Sequence, residues 1–341
     1  MEWPLAGVLI FLAAALLLYL LTAGADFGAG ILELFVGRRR AEDQRQVITR
    51  AMAPVWEANH VWLVLVITIL FVAFPAVYAL MSVHLFIPLT LILMGIVARG
   101  CAFTFRHYDP PAPRAYRIYT SLFALSSLWT TFFLGVVIGS VTLGEINPKA
   151  NTFAALYLAP WINRFCVSTG LFAICLFALL AAVYLVGETE DPKLASRFRR
   201  RAAWSNGLLV LLGGVVFLTA EGDGLPLFRL FFSNPVSVGS FALASLLLFP
   251  FWRALLLNKQ VFWTRAVGIL IAALVLCGWV AVQYPAAIRM TGGLALTFHD
   301  AAAPRATLRA LLMALVVGSI LIFPALFYLL YIFKWHPVRR P

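Results

Sequence analysis

Residues 52–75 read MAPVWEANHVWLVLVITILFVAFP. A bilayer crossing takes about 20 apolar residues, so this stretch is long enough to span one. It also carries Glu57, Asn59 and His60 among its apolar side chains. A helix turns about 100° per residue, which places Trp56, Glu57, Asn59 and His60 on one arc of roughly 160°. Leu, Val and Ile fill most of the remaining surface. An ionisable group at membrane depth costs on the order of 2–4 kcal/mol and survives only where it faces protein or water. The stretch therefore predicts a spanning helix with one polar face turned inward, toward a site or a proton path.

The rest of the chain has the same character. Of its 341 residues 63% are hydrophobic and 12% charged, well away from the balance of soluble domains. The first apolar run, from Pro4 to about Ala23, has no basic n-region and no small-residue cleavage site, so it reads as a retained spanning helix. No loop is long enough for a separate soluble domain. The expectation is an all-α polytopic membrane protein forming a single integral membrane domain over 1–341. Nine spans are expected, at about 4–35, 52–74, 77–105, 120–143, 163–187, 203–221, 237–257, 262–284 and 309–333. Helices 1–4 then occupy about 4–143, helices 5–8 about 163–284, and helix 9 about 309–333.

The formal net charge of +12 does not indicate nucleic acid, because the basic residues fall in short loops between apolar segments. With the loop after the first helix placed inside, 19 of the 26 Lys and Arg lie in cytoplasmic segments and six outside. The remaining one, Arg99, lies inside a helix. This asymmetry puts the N-terminus outside and the C-terminus in the cytoplasm. Cys101, Cys166, Cys175 and Cys277 form no CxxC or CxxCH pattern, so no structural metal site or covalent haem attachment is indicated.

The first helix ends in LTAGADFGAGILELF, where Gly24 and Gly28 form a small-xxx-small pair that lets another helix approach closely. Asp26 lies ten residues before Val36, Glu57 seven after Arg50, and Arg99 seven before Arg106. At about 1.5 Å per residue, all three sit roughly 10–15 Å in from the cytoplasmic side. The depths predict an intramembrane cluster of Asp26, Glu57 and Arg99. One cation with two carboxyls leaves one carboxyl able to titrate, as a proton relay needs; a purely structural ion pair is the other reading. Glu33, seven residues after Asp26, reads as an interfacial residue near the helix end. His60 and His84 are candidate haem or metal ligands, or hydrogen-bonded core histidines. Glu57-x-x-His60 is half of a di-iron carboxylate pattern, and the second half is not in the sequence.

Signals thin beyond the fourth helix. Ser126, Ser127, Thr130 and Thr131 give that helix a polar face suited to interhelical hydrogen bonds. The basic run in ETEDPKLASRFRRR suits contact with anionic lipid. Two other classes stay in play: a secondary transporter with a polar site at the midplane, and a haem-bearing subunit using His60 or His84. Transporters tend to interrupt helices in both halves; here GADFGAG is matched only weakly by GLLVLLGG.

PVWEANHVWL resembles the W-[DE]-x-N-x-x-W-L stretch of subunit II of the cytochrome bd family of terminal oxidases, through Trp56, Glu57, Asn59, Trp62 and Leu63. GADFGAG resembles the family's DGFDLGVG, and ARGCAFTFR at 98–106 resembles FRGVAFEFR, especially in the cyanide-insensitive branch. FPAVYA also matches, and Tyr284-Pro285 and HDAAAPRATL match more loosely.

The resemblance implies two four-helix bundles plus one helix, with the N-terminus outside. It implies a heterodimer with a haem-bearing subunit I that carries haems b and d and oxidises quinol or another donor. This chain would bind no haem by its own ligands and would not be catalytic alone. A bound quinone and small additional membrane subunits are further expectations. Asp26, Glu57 and Arg99 match the family's intramembrane polar cluster, and Trp62 the tryptophan beside an oxygen access route. Trp56, Asn59 and His60 would support the polar face. The sequence departs from the family at Ala23, where an acid is usual, at Ala25, where Phe is, and at Thr104, where an acid is frequent. His60 stands where Gln or Glu is commoner.

Overall fold

The computed structural model describes residues 2–36, 40–108, 113–257 and 261–335; the side chains of 53–58, 107–108, 113–114, 326–327 and 329–335 lie outside that description. Twelve α-helices follow in chain order: α1 Trp3–Glu33, α2 Ala41–Ala73, α3 Pro75–His84, α4 Phe86–Tyr108, α5 Pro113–Leu143, α6 Phe153–Tyr157, α7 Arg164–Leu185, α8 Pro192–Gly222, α9 Leu227–Phe232, α10 Pro235–Leu256, α11 Val261–Gln283 and α12 Arg305–Trp335. A short hairpin of β1 (Ala286–Arg289) and β2 (Ala295–Thr297) precedes α12.

Among the described residues eight helices are long and apolar enough to cross a membrane, and the count is nine if the bent pair of α2 and α3 is one span. The helices pack as two groups of four: α1, α2, α4 and α5, then α7, α8, α10 and α11. α7 joins the groups by packing on both α1 and α5, and α12 lies against α1 and α2. The outer surface is apolar, with Ile10, Val64, Phe71, Leu93, Leu246, Phe249 and Ile320 all exposed, as lipid contact requires.

The helix starts follow the sequence. Asn163, Asp191 and Asn234 cap α7, α8 and α10 by accepting from the backbone N–H of Cys166, Lys193 and Val236 at 2.8, 2.8 and 2.9 Å. Pro75, Pro192 and Pro235 open their helices, where a missing N–H is harmless. Pro75 also accounts for the 115° bend between α2 and α3: it drives Phe74 out of helical conformation.

The single helix expected over 77–105 is instead two, α3 and α4, broken at Leu85. Pro88 explains the break, because it has no N–H to give the His84 carbonyl one turn back. Several spans run past their expected ends. α2 begins at Ala41, α5 at Pro113 and α8 at Pro192, so their polar first turns project beyond the apolar zone. At the opposite end α6, α9 and the hairpin cover the helices, fastened by Ala303 N–H to Ala73 O at 2.8 Å and by Phe298 edge-on to Phe74.

α1 is the central helix, and from Ala23 to Glu33 every residue is buried. Its small residues make that possible. A Cβ at Gly28 would lie 1.9 Å from the Phe177 carbonyl oxygen of α7, and one at Gly30 would lie 2.2 Å from Ser127 Oγ of α5. Two neighbouring helices thus close directly onto the backbone of α1 beside Asp26.

Candidate intramembrane polar site

Four helices contribute to the site. Asp26 of α1 is fully buried, and both its carboxylate oxygens are engaged. Oδ1 pairs with Nη2 of Arg99 on α4, and Oδ2 accepts from Asn59 Nδ2 of α2 at 2.6 Å. Arg99 is 1% exposed. Its Nη2 also donates to the Asp26 carbonyl at 3.2 Å, and its Nε donates to Ser127 Oγ of α5 at 3.1 Å. The guanidinium lies between two rings, 4.8 Å from the Phe27 centroid and 4.7 Å from that of Phe123. Such contacts favour a desolvated cation. A charge this deep is tolerated because the pair and its hydrogen bonds replace water.

The expected meeting of Asp26 and Arg99 is observed. Asn59 enters as a direct ligand of Asp26 rather than as general support. The side chains of Trp56 and Glu57 lie outside the described residues. His60 is half-buried one residue beyond Asn59. Trp62 is buried against Phe323 of α12, with ring centroids 6.0 Å apart. Beside it runs an apolar groove of about 250 Å³ between α2 and α12, lined by residues including Leu65, Thr68, Leu315, Gly318 and Phe323. His84 is buried away from the site, its Nδ1 3.2 Å from the Leu156 carbonyl and its ring stacked on Tyr157.

A second ion pair, absent from the sequence reading, stands two turns further toward the C-terminal end of α1. Glu33 is buried rather than interfacial: Arg106 Nη1 donates to both its oxygens, at 3.0 and 2.9 Å. Arg106 Nη2 donates to Thr49 Oγ1 of α2 at 2.9 Å. Phe123 lies against this guanidinium too, at 4.7 Å, so one ring separates the two arginines. The spacing had signalled it. Asp26 and Glu33 are seven apart, as are Arg99 and Arg106, which gives α1 and α4 the same pair of rungs and requires them to run parallel.

The polar face expected on α5 is mostly turned back on its own helix. Ser126 and Thr130 donate to carbonyls one turn earlier, and Ser127 alone bonds across, to Arg99. Among the described residues no three His, Cys, Asp or Glu side chains are grouped to hold a metal ion. Near the basic end of the helices Arg40 pairs with Asp191. The Asp191 carboxyl is held below the usual carboxylate range, chiefly by the Lys193 backbone N–H and then by Arg40.

Apolar helices with charges neutralised inside one bundle define a multi-pass membrane protein with a built polar interior. The family model of cytochrome bd terminal oxidase subunit II matches residues 6–333. The chain belongs to that family, and it is a multi-pass protein of the bacterial inner membrane. It is 31% identical over 148 residues to cytochrome bd ubiquinol oxidase subunit 2 of Bacillus subtilis, covering 43% of this chain and 42% of that one. It is 35% identical over 104 residues to cytochrome bd-I ubiquinol oxidase subunit 2 of Escherichia coli K12, covering 30% and 25%. The aligned part thus spans under half the length of either relative. In fold it is similar to a solved bd oxidase chain from Geobacillus thermodenitrificans, with TM-score 0.76 and 19% identity over 98% of this chain and 100% of that one.

Proposed function

We propose that this chain is the non-haem subunit of a bd-type quinol oxidase, working as one integral membrane domain with a haem-bearing subunit I. The observation that carries the reading is the family match across nearly the whole chain. The relatives are described as ubiquinol oxidase subunits, and a quinol is the proposed donor to the complex. Haems b and d, the oxygen-reducing centre and donor oxidation belong to the partner. This chain shapes the membrane interface and is not catalytic alone. Small further subunits and a bound quinone are compatible with this role. The distribution of Lys and Arg supports a periplasmic N-terminus.

Within this role, protons from the cytoplasm pass by way of Asp26 and Glu57, and Arg99 sets how readily each takes one up. Supporting this is a carboxylate buried among four helices with a guanidinium fixed on it. Trp62, at the groove between α2 and α12, is the proposed wall of an oxygen access route. The family match does not favour a secondary-transporter reading.

The test is Glu57→Gln in the purified complex. Turnover and proton uptake should fall severalfold while haem content stays constant. Unchanged turnover and uptake would show that the cluster is structural.

A further inference from the structure

At the basic end of the helices one side chain of α8 reaches across to the first bundle. Arg201 Nη2 donates to the Phe35 carbonyl, two residues past α1, at 2.8 Å and to Gln44 Oε1 of α2 at 3.0 Å. Two atoms of this contact are withdrawn from solvent with no protein partner: Arg201 Nη1 and Gln44 Nε2. Gln44 is fully buried. Chemistry fixes which of its amide atoms is left over. A guanidinium only donates, so the Gln44 atom that meets Arg201 is the oxygen and the unpartnered one is the NH2. Arg45, the next residue along α2, has an unpartnered Nε as well.

These three orphans are all donors, so each requires an acceptor. Among the described residues no Asp or Glu forms an ion pair with Arg201. A half-buried guanidinium without a counter-ion is costly, and so is a buried amide N–H without an acceptor. Water would accept from both but leave the charge unbalanced, and a cation would be repelled. An anion with two or more oxygens meets both demands, and phosphate oxygens suit a guanidinium well.

The surface beside the contact indicates the source of the anion. Trp204, Leu208 and Leu211 follow Arg201 by three, seven and ten residues, which places them along one flank of α8, and all three are exposed. Arg197, Arg199 and Arg200 come just before. α8 thus passes here from a basic segment to an apolar face with a tryptophan at the boundary, as a helix does at headgroup level. Phe35 is exposed on the α1 side. A phosphate held at Arg201 has apolar surface leading away from it, suited to an acyl chain, and a free phosphate ion has no use for that surface.

We propose that the junction of α1, α2 and α8 binds one acidic phospholipid, its phosphate bridging Arg201 Nη1 and Gln44 Nε2 and its chains lying on Trp204, Leu208 and Leu211. The lipid fastens the two bundles together, because it supplies acceptor and negative charge to the contact that ties α8 to α1 and α2. The site is independent of the proton reading above.

The experiment uses the complete oxidase, delipidated in dodecylmaltoside. Thermal unfolding is followed as dioleoylphosphatidylglycerol, dioleoylphosphatidylcholine or inorganic phosphate is added back, and native mass spectrometry counts retained lipid. Phosphatidylglycerol should raise the Tm by several degrees, phosphatidylcholine by much less and inorganic phosphate hardly at all. Gln44→Glu replaces the amide donor by a carboxylate of the same shape, which gives Arg201 an internal counter-ion and repels a phosphate. This variant should retain one phosphatidylglycerol fewer, lose most of the lipid-dependent gain, and unfold at a higher temperature than the parent when both are lipid-free. Arg50→Gln, which removes an exposed charge from α2, should behave as the parent does.

Equal retention and equal lipid-dependent gain in parent and Gln44→Glu would overturn the site. A lipid-free Gln44→Glu complex less stable than the parent would overturn the need for a counter-ion at Arg201. A gain of full size from inorganic phosphate would overturn the lipid as occupant, and one from phosphatidylcholine would overturn the acidic headgroup.

Discussion

The Glu33–Arg106 pair gives a quantitative test of how this bundle holds charge. Both side chains are almost wholly withdrawn from solvent, 0% and 4% exposed, so solvent screening is slight. Arg106→Met removes both hydrogen bonds to Glu33, the bond to Thr49 and the contact with Phe123. The orphaned carboxyl then stays charged in a dry site or takes up a proton. Breaking a buried pair by removing one partner costs about 3–5 kcal/mol. The protonation route sets a ceiling. Neutralising an ordinary carboxyl of pKa about 4.3 costs about 3.7 kcal/mol at pH 7 and about 1 kcal/mol at pH 5. The lost cation–π contact adds about 1 kcal/mol at either pH. Arg106→Met should therefore destabilise by about 5 kcal/mol at pH 7 and about 2 kcal/mol at pH 5.

The double variant Glu33→Leu/Arg106→Met should recover most of that loss, since an apolar replacement of a buried pair is commonly neutral or stabilising. Unfolding of the complex in dodecylmaltoside–SDS mixed micelles, followed by tryptophan fluorescence at both pH values, reads all three states. A single-variant loss below about 1 kcal/mol, or one that does not shrink at pH 5, would refute the account of Glu33 as a buried charge held by Arg106.

Other expectations follow from single contacts. Gly28→Ala places a methyl against the Phe177 carbonyl and should destabilise by about 1–3 kcal/mol. Gly207→Ala on α8 meets nothing within 4 Å and should be neutral or slightly stabilising; thermal unfolding of both compares them. Asp191→Ala should lower the unfolding temperature at pH 7. A carboxyl depressed in the folded state stabilises above its unfolded value of about 3.9, and that stability is lost as pH falls through the lower folded value. The difference between variant and parent should therefore vanish in acid. His60→Gln and His84→Gln should leave the reduced-minus-oxidised haem spectrum of the complex unchanged; loss of a haem band in either would assign a ligand to this chain.

The spans were legible because a bilayer crossing demands a long apolar run, and nothing else in this chain competes with that signal. Asp26 and Arg99 were legible for the converse reason: a charge within such a run must have a partner. Glu33 and Arg106 were not read as a pair. A charge near the end of a span looks the same in sequence whether it meets water or protein, and only packing of α1 against α2 and α5 decides it. Their matched seven-residue spacing to Asp26 and Arg99 was the available clue. The break at Leu85 was hidden because hydropathy runs unbroken through it, although Pro88 marked the carbonyl that would lose its donor. The unpartnered donors of Gln44 and Arg201 leave no mark in sequence, since the basic run that holds Arg201 reads equally well as solvated charge.

The added rung also changes the charge count on which a proton role depends. One cation against two carboxyls becomes Arg99 and Arg106 against Asp26, Glu33 and Glu57. Two of those carboxylates are committed to the two guanidiniums, and Glu57 is the carboxyl on which the proposed proton role rests. Asp26→Asn and Glu57→Gln should then differ in kind. Asp26→Asn strands Arg99 in a buried site, at a cost of about 3–5 kcal/mol, and should lower the yield of assembled, haem-containing complex. On the proposed reading Glu57→Gln should leave assembly intact while slowing proton uptake. Quantifying haem per complex alongside turnover for the two variants separates these outcomes. Equal assembly defects in both would place Glu57 in the ion-pair framework and leave this bundle without a carboxyl to carry a proton.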